Sequence, residues 1–196
     1  MLPRYTRCSI TDRRLLAPSE ALLDVVARHL ALGIEWIQIR EKDLSARDLF
    51  RLVQSALALP NPHGSRIVVN TRVDVALAAG AAGAHLPSGS PPAKTWRSLT
   101  PPGFLIGVSC HTVDEVRAAE DEGAGYALFG PVFAPRSKTS PLPPRGLAEL
   151  ARAARAVRIP VLALGGITSA NLPACLDAGA AGVAAISLYQ ESTPSC

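Results

Sequence analysis

Short apolar runs alternate along this chain with longer stretches whose apolar residues recur at helical spacing. One phrase returns four times with variation: ALGIEWIQIR from Ala31, AAGAAGAHLP from Ala78, DEGAGYALFG from Asp121 and DAGAAGVAAIS from Asp177. Each predicts a helix end, a glycine cap and then a short buried strand. The first glycines of the four phrases, Gly33, Gly80, Gly123 and Gly179, lie about two βα units apart, since one unit with its crossover takes roughly 20 to 30 residues. A further strand is therefore expected inside each interval. RIVVN (Arg66 to Asn70), FLIGVSC (Phe104 to Cys110) and PVLALGG (Pro160 to Gly166) supply them, and YTRCSITD opens the chain. Continuous apolar runs of this kind suit parallel strands covered by helices on one face and packed on the other. Between them SEALLDVVARHLAL and LAELARAARAV carry helical periodicity, and TVDE from Thr112 has capping-box spacing.

Eight strands in strict alternation with helices predict an α/β fold, a closed (β/α)8 TIM barrel rather than a doubly wound open sheet. The chain length of 196 residues suits one such domain over residues 1–196. Only LYQESTPSC follows the eighth strand, so the final helix is expected to be short or missing. The seam between the first and last strands is then either partly uncovered or covered by a second copy in a homo-oligomer. The proline-rich segments Pro91 to Pro102 and Ser140 to Pro144 read as loops within the domain.

Composition narrows the partners. A net charge of +4 with scattered arginines, and no basic run interleaved with aromatics, argues against nucleic acid and suits a small anionic ligand. Four cysteines, Cys8, Cys110, Cys175 and Cys196, show neither C-x-x-C spacing nor a disulfide framework, which fits a reducing, cytoplasmic setting. The N-terminal MLPRYTRCSITD lacks the apolar segment of a signal peptide, and no apolar run approaches a membrane span.

In a barrel of this type the chemistry sits at the C-terminal ends of the strands. The second strand ends QIREK, where strand alternation puts Gln38 and Arg40 on one face with Lys42 just beyond. This set reads either as an anion grip or as a barrel-mouth ion pair of Arg40 with Glu41 or Asp43. The seventh strand ends at Gly165 and Gly166, the eighth at Ile186 and Ser187, and the loops after these strands form the usual phosphate site of the fold. The fifth strand ends GVSCHT: Ser109 and His111 reach the mouth, with His111 the best acid/base candidate. Cys110 has no basic partner beyond His111. His85 reads as a core or hydrogen-bonded residue, His29 and His63 as helix and loop residues. Lys138 falls in the long loop LFGPVFAPRSKTS, either a ligand-closing lid or an ordinary solvated loop.

Taken in order, ITD, QIREK, VN-x-RVDVALAAGAAGAHL, IGVSCH, YALFGPVF…K, IPVLALGGI and AGAAGVAAIS resemble the thiamine-phosphate synthase and thiazole tautomerase superfamily, up to Ser187. The resemblance implies a small phosphorylated thiazole substrate near Gly165, Gly166, Ile186 and Ser187. Gln38, Arg40, Lys42, Asn70 and Lys138 match the fuller synthase pattern. In synthases, carboxylates after the third and fourth strands hold the Mg²⁺ that neutralises a leaving diphosphate. Here Asn70-Thr71 replaces the family's ND, Ser90 in HLPSGS replaces the second acid, and Pro135 departs from a threonine usual in the synthase loop. On these departures the expected function is a metal-independent thiazole tautomerase, an isomerase with His111 as its catalytic residue, no metal site and no cofactor. The alternatives are a thiamine-phosphate synthase, a transferase that would use Mg²⁺, and a non-catalytic thiazole-phosphate binder.

Overall fold

The structure is a computed structural model and describes residues 5–134 and 142–190. Eight strands, β1 (Thr6–Ile10), β2 (Trp36–Ile39), β3 (Arg66–Asn70), β4 (Gly83–Leu86), β5 (Leu105–Cys110), β6 (Tyr126–Phe129), β7 (Val161–Leu164) and β8 (Gly182–Ala185), form a closed all-parallel barrel in sequence order. Pairing of Thr6 with Gly182 through Ser9 with Ala185 closes it. The helices are α1 (Leu22–Ala31), α2 (Ala46–Leu57), α3 (Val73–Ala79), α4 (Ala93–Arg97), α5 (Val113–Asp121), α6 (Gly146–Ala156), α7 (Leu172–Asp177) and α8 (Ser187–Gln190). The α/β barrel predicted from the hydrophobic pattern is the fold observed. The Pro91 to Pro102 segment differs from its expected loop, because α4 fits between Pro92 and Ser98. Pro92 precedes its first turn, where a missing N–H has no cost, and no proline falls inside.

The repeated phrase is a repeated helix stop. Gly33, Gly80, Gly123 and Gly179 all have positive φ. At each, the glycine N–H and the next N–H turn back onto the helix: Gly33 to Leu30 O and Ile34 to His29 O, then Gly123 to Glu120 O and Ala124 to Ala119 O. Gly80, Ala81, Gly179 and Ala180 repeat the pattern. A glycine is required because the left-handed conformation brings a Cβ against the backbone. The next apolar residue enters the core and starts the following strand.

Alternation along the strands separates two cores. Val161 and Ala163, Val183 and Ala185, and Ala127 and Phe129 face the helices. Their neighbours Leu162, Ala184, Tyr126 and Leu128 pack with Cys8 and Ile10 into the second cluster, inside the barrel. Gly107 belongs to this interior because the Tyr126 ring lies over it, and a Cβ there would sit 2.0 Å from Tyr126 Cζ. The seam is held by the short α8. His29 Nε2 donates to Tyr189 O at 2.8 Å, which fixes the tautomer and leaves Nδ1 to accept from the Ser9 hydroxyl at 3.1 Å. One buried imidazole thus ties α1, β1 and α8 together. No helix among the described residues is long and apolar enough to cross a membrane.

Candidate active site

The strand C-termini converge on one end of the barrel. Interior-facing positions of β2 to β5 there carry polar side chains in place of the aliphatic ones below. Gln38 is buried, and its Nε2 donates to Asn70 Oδ1 at 2.9 Å across β2 and β3. Asn70 Nδ2 in turn donates to Thr71 Oγ1 at 2.8 Å. The register pairs Asn70 with His85 and His85 with Gly107. His85 is fully enclosed, with Nε2 at 2.8 Å from Ser109 Oγ and Nδ1 at 3.2 Å from Tyr126 Oη. A neutral imidazole has one N–H, so one hydroxyl accepts from the ring and the other donates to it. Burial, assisted by the nearby Arg40 charge, holds the His85 pKa down to about 3, so the ring stays neutral. Its place is the hydrogen-bonded core, as expected.

Two buried atoms in this tier have no protein partner. Gln38 Oε1 receives no hydrogen bond, and Arg40 Nη1 finds no acceptor. Gln38 lies on β2 and Arg40 directly follows it, two positions on. An acceptor and a cationic donor without protein partners thus stand near each other at the end of this strand. Arg40 is not paired with Glu41 or Asp43. Glu41 instead accepts from Thr11 Oγ1 at 2.6 Å and from Arg13 Nη1 at 3.2 Å, and Asp43 from Arg13 Nη1 at 2.8 Å. Burial is the main influence pushing the Arg40 pKa down, with Arg14 adding to it and Asp12 and Glu41 opposing. The Arg40 backbone N–H is held by Thr11 Oγ1 at 2.9 Å.

A cavity of about 300 Å³ lies past the ends of β2 and β3, lined by Glu41, Lys42, Asn70, Thr71 and Arg72 with Leu44 and Leu49. Thr71 is the one non-glycine residue with positive φ among those described, at 65°. A β-branched residue in that conformation is strained and persists only where the surroundings over-determine it. Here Thr71 N donates to His85 O at 2.8 Å and Val73 N to Thr71 O at 3.2 Å, which pins the turn.

His111 follows β5. Its Nδ1 lies 2.6 Å from Gly130 O, so this nitrogen carries the proton and Nε2 is left as the acceptor. Its backbone N–H donates to Glu115 Oε2 at 2.6 Å. The capping box is therefore half made: Thr112 Oγ1 accepts from Glu115 N at 3.1 Å, while the glutamate reaches one residue further back than the pattern predicts. Cys110 is 1% exposed, and burial raises its pKa to about 12, so it is no nucleophile. Gly165 and Gly166 have φ of 96° and 63° and end β7, next to Ile186 and Ser187 after β8. A Cβ on either glycine would overlap the segment after β6, at 2.6 Å from Pro131 Cβ or 2.5 Å from Ala134 O. These glycines are fixed by close packing as well as by φ. Lys138 and Pro135 lie outside the described residues. The signals that sequence reading missed are His85 under Ser109 and Thr71 in its left-handed turn; the first needs register and the second needs φ.

Comparison with known proteins then decides the family: the profile described as thiamine monophosphate synthase matches residues 8–188. The chain belongs to the thiamine monophosphate synthase family. The thiamine-phosphate synthase of Roseiflexus sp. (strain RS-1) is 45% identical over 178 residues, covering 91% of this chain and 75% of that protein. That of Chlorobium luteolum (strain DSM 273 / BCRC 81028 / 2530) is 41% identical over 180 residues, covering 92% and 82%. Among solved structures, the thiamine phosphate pyrophosphorylase from Pyrococcus furiosus superposes with a TM-score of 0.82 at 30% identity, covering 96% of this chain and 93% of that one. These relatives overturn the expectation of a thiazole tautomerase, and of an isomerase. The family match spans β1 to α8, and two changed side chains near the mouth do not outweigh it.

The same two positions test the metal that the family implies. Thr71 and Ser90 offer hydroxyls where the family pattern has carboxylates, and a hard dication such as Mg²⁺ needs anionic oxygens. The two line separate cavities, Ser90 lying with Ser109 and Glu115 in one of about 230 Å³. The nearby acids are committed, Glu41 to Thr11 and Arg13, Asp74 to Arg72. No cluster of three metal-ligating acidic, histidine or cysteine side chains occurs among the described residues. The residues present do not fit the ion.

Proposed function

We propose that this protein is a thiamine-phosphate synthase, a transferase that joins hydroxymethylpyrimidine diphosphate to thiazole phosphate. The observation that carries this reading is the 45% identity with a thiamine-phosphate synthase along 91% of the chain. The site chemistry supports it. In the coupling, the thiazole nitrogen lone pair forms a bond to the pyrimidine methylene carbon, the carbon–oxygen bond to diphosphate breaks, and diphosphate leaves with the electron pair. The ring nitrogen becomes cationic and no proton has to move. The demands on the protein are orientation of two phosphorylated ligands and stabilisation of a departing anion.

Each demand has matching groups. Gln38 Oε1 is a buried acceptor for a pyrimidine N–H, and Arg40 Nη1 a buried donor for the diphosphate. Ser109, held by His85, adds a hydroxyl on β5, and Lys42 and Asn70 line the adjoining cavity. The backbone at Gly165, Gly166, Ile186 and Ser187 would receive the thiazole phosphate, the position that barrel enzymes use for phosphate. His111, with its proton committed to Gly130 O, braces the segment after β6 rather than shuttling a proton. Incubating the purified protein with both substrates and following thiamine phosphate and diphosphate release tests the reading. Stoichiometric formation of both products is expected; the absence of product at any substrate or metal concentration would refute it.

A further inference from the structure

The family's catalytic ion and this chain's donor set disagree, and the disagreement has an electrostatic resolution. A dication held by two carboxylates adds no net charge to the mouth. Replacing both carboxylates by hydroxyls and omitting the dication also adds none. The positive charge available to an anion comes from side chains in either case. Just past β2, Arg40 has a buried Nη1 without an acceptor. The cavity formed by the residues that follow carries Lys42 together with Glu41, and its Arg72 is held by Asp74, whose carboxylate accepts from Arg72 Nε at 2.8 Å. Thr71, where the family pattern has a carboxylate, keeps a left-handed turn that aspartate and asparagine adopt more readily than threonine. Its hydroxyl now accepts from Asn70 Nδ2, which ties it to Gln38 through Asn70.

We infer that this chain engages the diphosphate of its substrate without a divalent cation, with Arg40 as the buried anchor. The inference rests on the synthase reading for the identity of the ligand. A guanidinium matches two phosphate oxygens at once, which an ion with no carboxylate ligands could not be placed to do.

Calorimetric titration of the full chain with inorganic diphosphate, in chelator and in Mg²⁺, tests this apart from turnover. Binding in chelator at least as tight as in Mg²⁺ is expected. Arg40→Ala should weaken it by roughly 10- to 100-fold, the worth of a hydrogen bond to a charged group. Diphosphate binding that requires Mg²⁺ in the unaltered protein, no binding under either condition, or full affinity in Arg40→Ala would overturn the inference. The coupling assay run with and without chelator separates the two claims. Product only with Mg²⁺ defeats the metal-free inference and leaves the synthase reading standing. Diphosphate bound in chelator without any product defeats the synthase reading and keeps the anion site.

Discussion

Acid should destabilise this protein through His85. The imidazole is fully buried between Ser109 and Tyr126, and its pKa is held at about 3 against an ordinary 6.5. A histidine depressed in the folded state binds its proton mainly in the unfolded chain, so stability is full above pH 6.5 and is lost as pH falls toward 3. Between those limits the loss approaches about 1.4 kcal/mol per pH unit, or about 2 kcal/mol at pH 5 and about 3 kcal/mol at pH 4. These are large against a typical total stability of about 5–15 kcal/mol. Urea unfolding followed by Trp36 fluorescence is a suitable assay, because that ring lies 4.6 Å from the Tyr126 ring inside the barrel. His85→Gln can restore one donor and one acceptor but does not titrate. It should be less stable than the parent at pH 7, and the gap should close by about 2 kcal/mol at pH 5. His29 is also depressed by burial and contributes with the same sign in both proteins, so it cancels in the comparison. Parallel stability curves for parent and His85→Gln from pH 7 to pH 4 would refute the argument.

Three further outcomes follow from particular contacts. Thr71→Asn should raise stability by about 1 kcal/mol, read as a melting shift of about 2–4 °C, since asparagine tolerates φ of 65° and can keep an acceptor for Asn70. Gly107→Ala places a methyl inside the Tyr126 ring and should cost about 1–3 kcal/mol or more in urea unfolding, with a change in Trp36 emission as the ring shifts. Arg40→Met keeps the stem but removes a half-buried cation that lacks an acceptor. It should leave the unliganded protein as stable as the parent or up to about 1 kcal/mol more stable, while weakening the stabilisation of the fold by added diphosphate.

The sequence alone determined the barrel. Periodic apolar runs, and glycines that must adopt positive φ where helices stop, are local properties, so all eight strands and the shared face of Gln38 and Arg40 were legible without coordinates. The synthase pattern was legible too, but Thr71 and Ser90 drew the reading to the wrong branch, because a hydroxyl in place of a carboxylate does not by itself change the reaction. Tertiary structure alone decided the partnerships. Gln38 meets Asn70, and His85 meets Ser109 and Tyr126, at sequence separations of 24 to 41 residues. Such contacts depend on strand register and barrel closure, which no local pattern encodes. The same holds for α8, four described residues that cover the seam because a buried histidine 160 positions away reaches a carbonyl within it. The unpaired Gln38 Oε1 and Arg40 Nη1 belong to this second class: a missing partner becomes visible only when every neighbour has been placed.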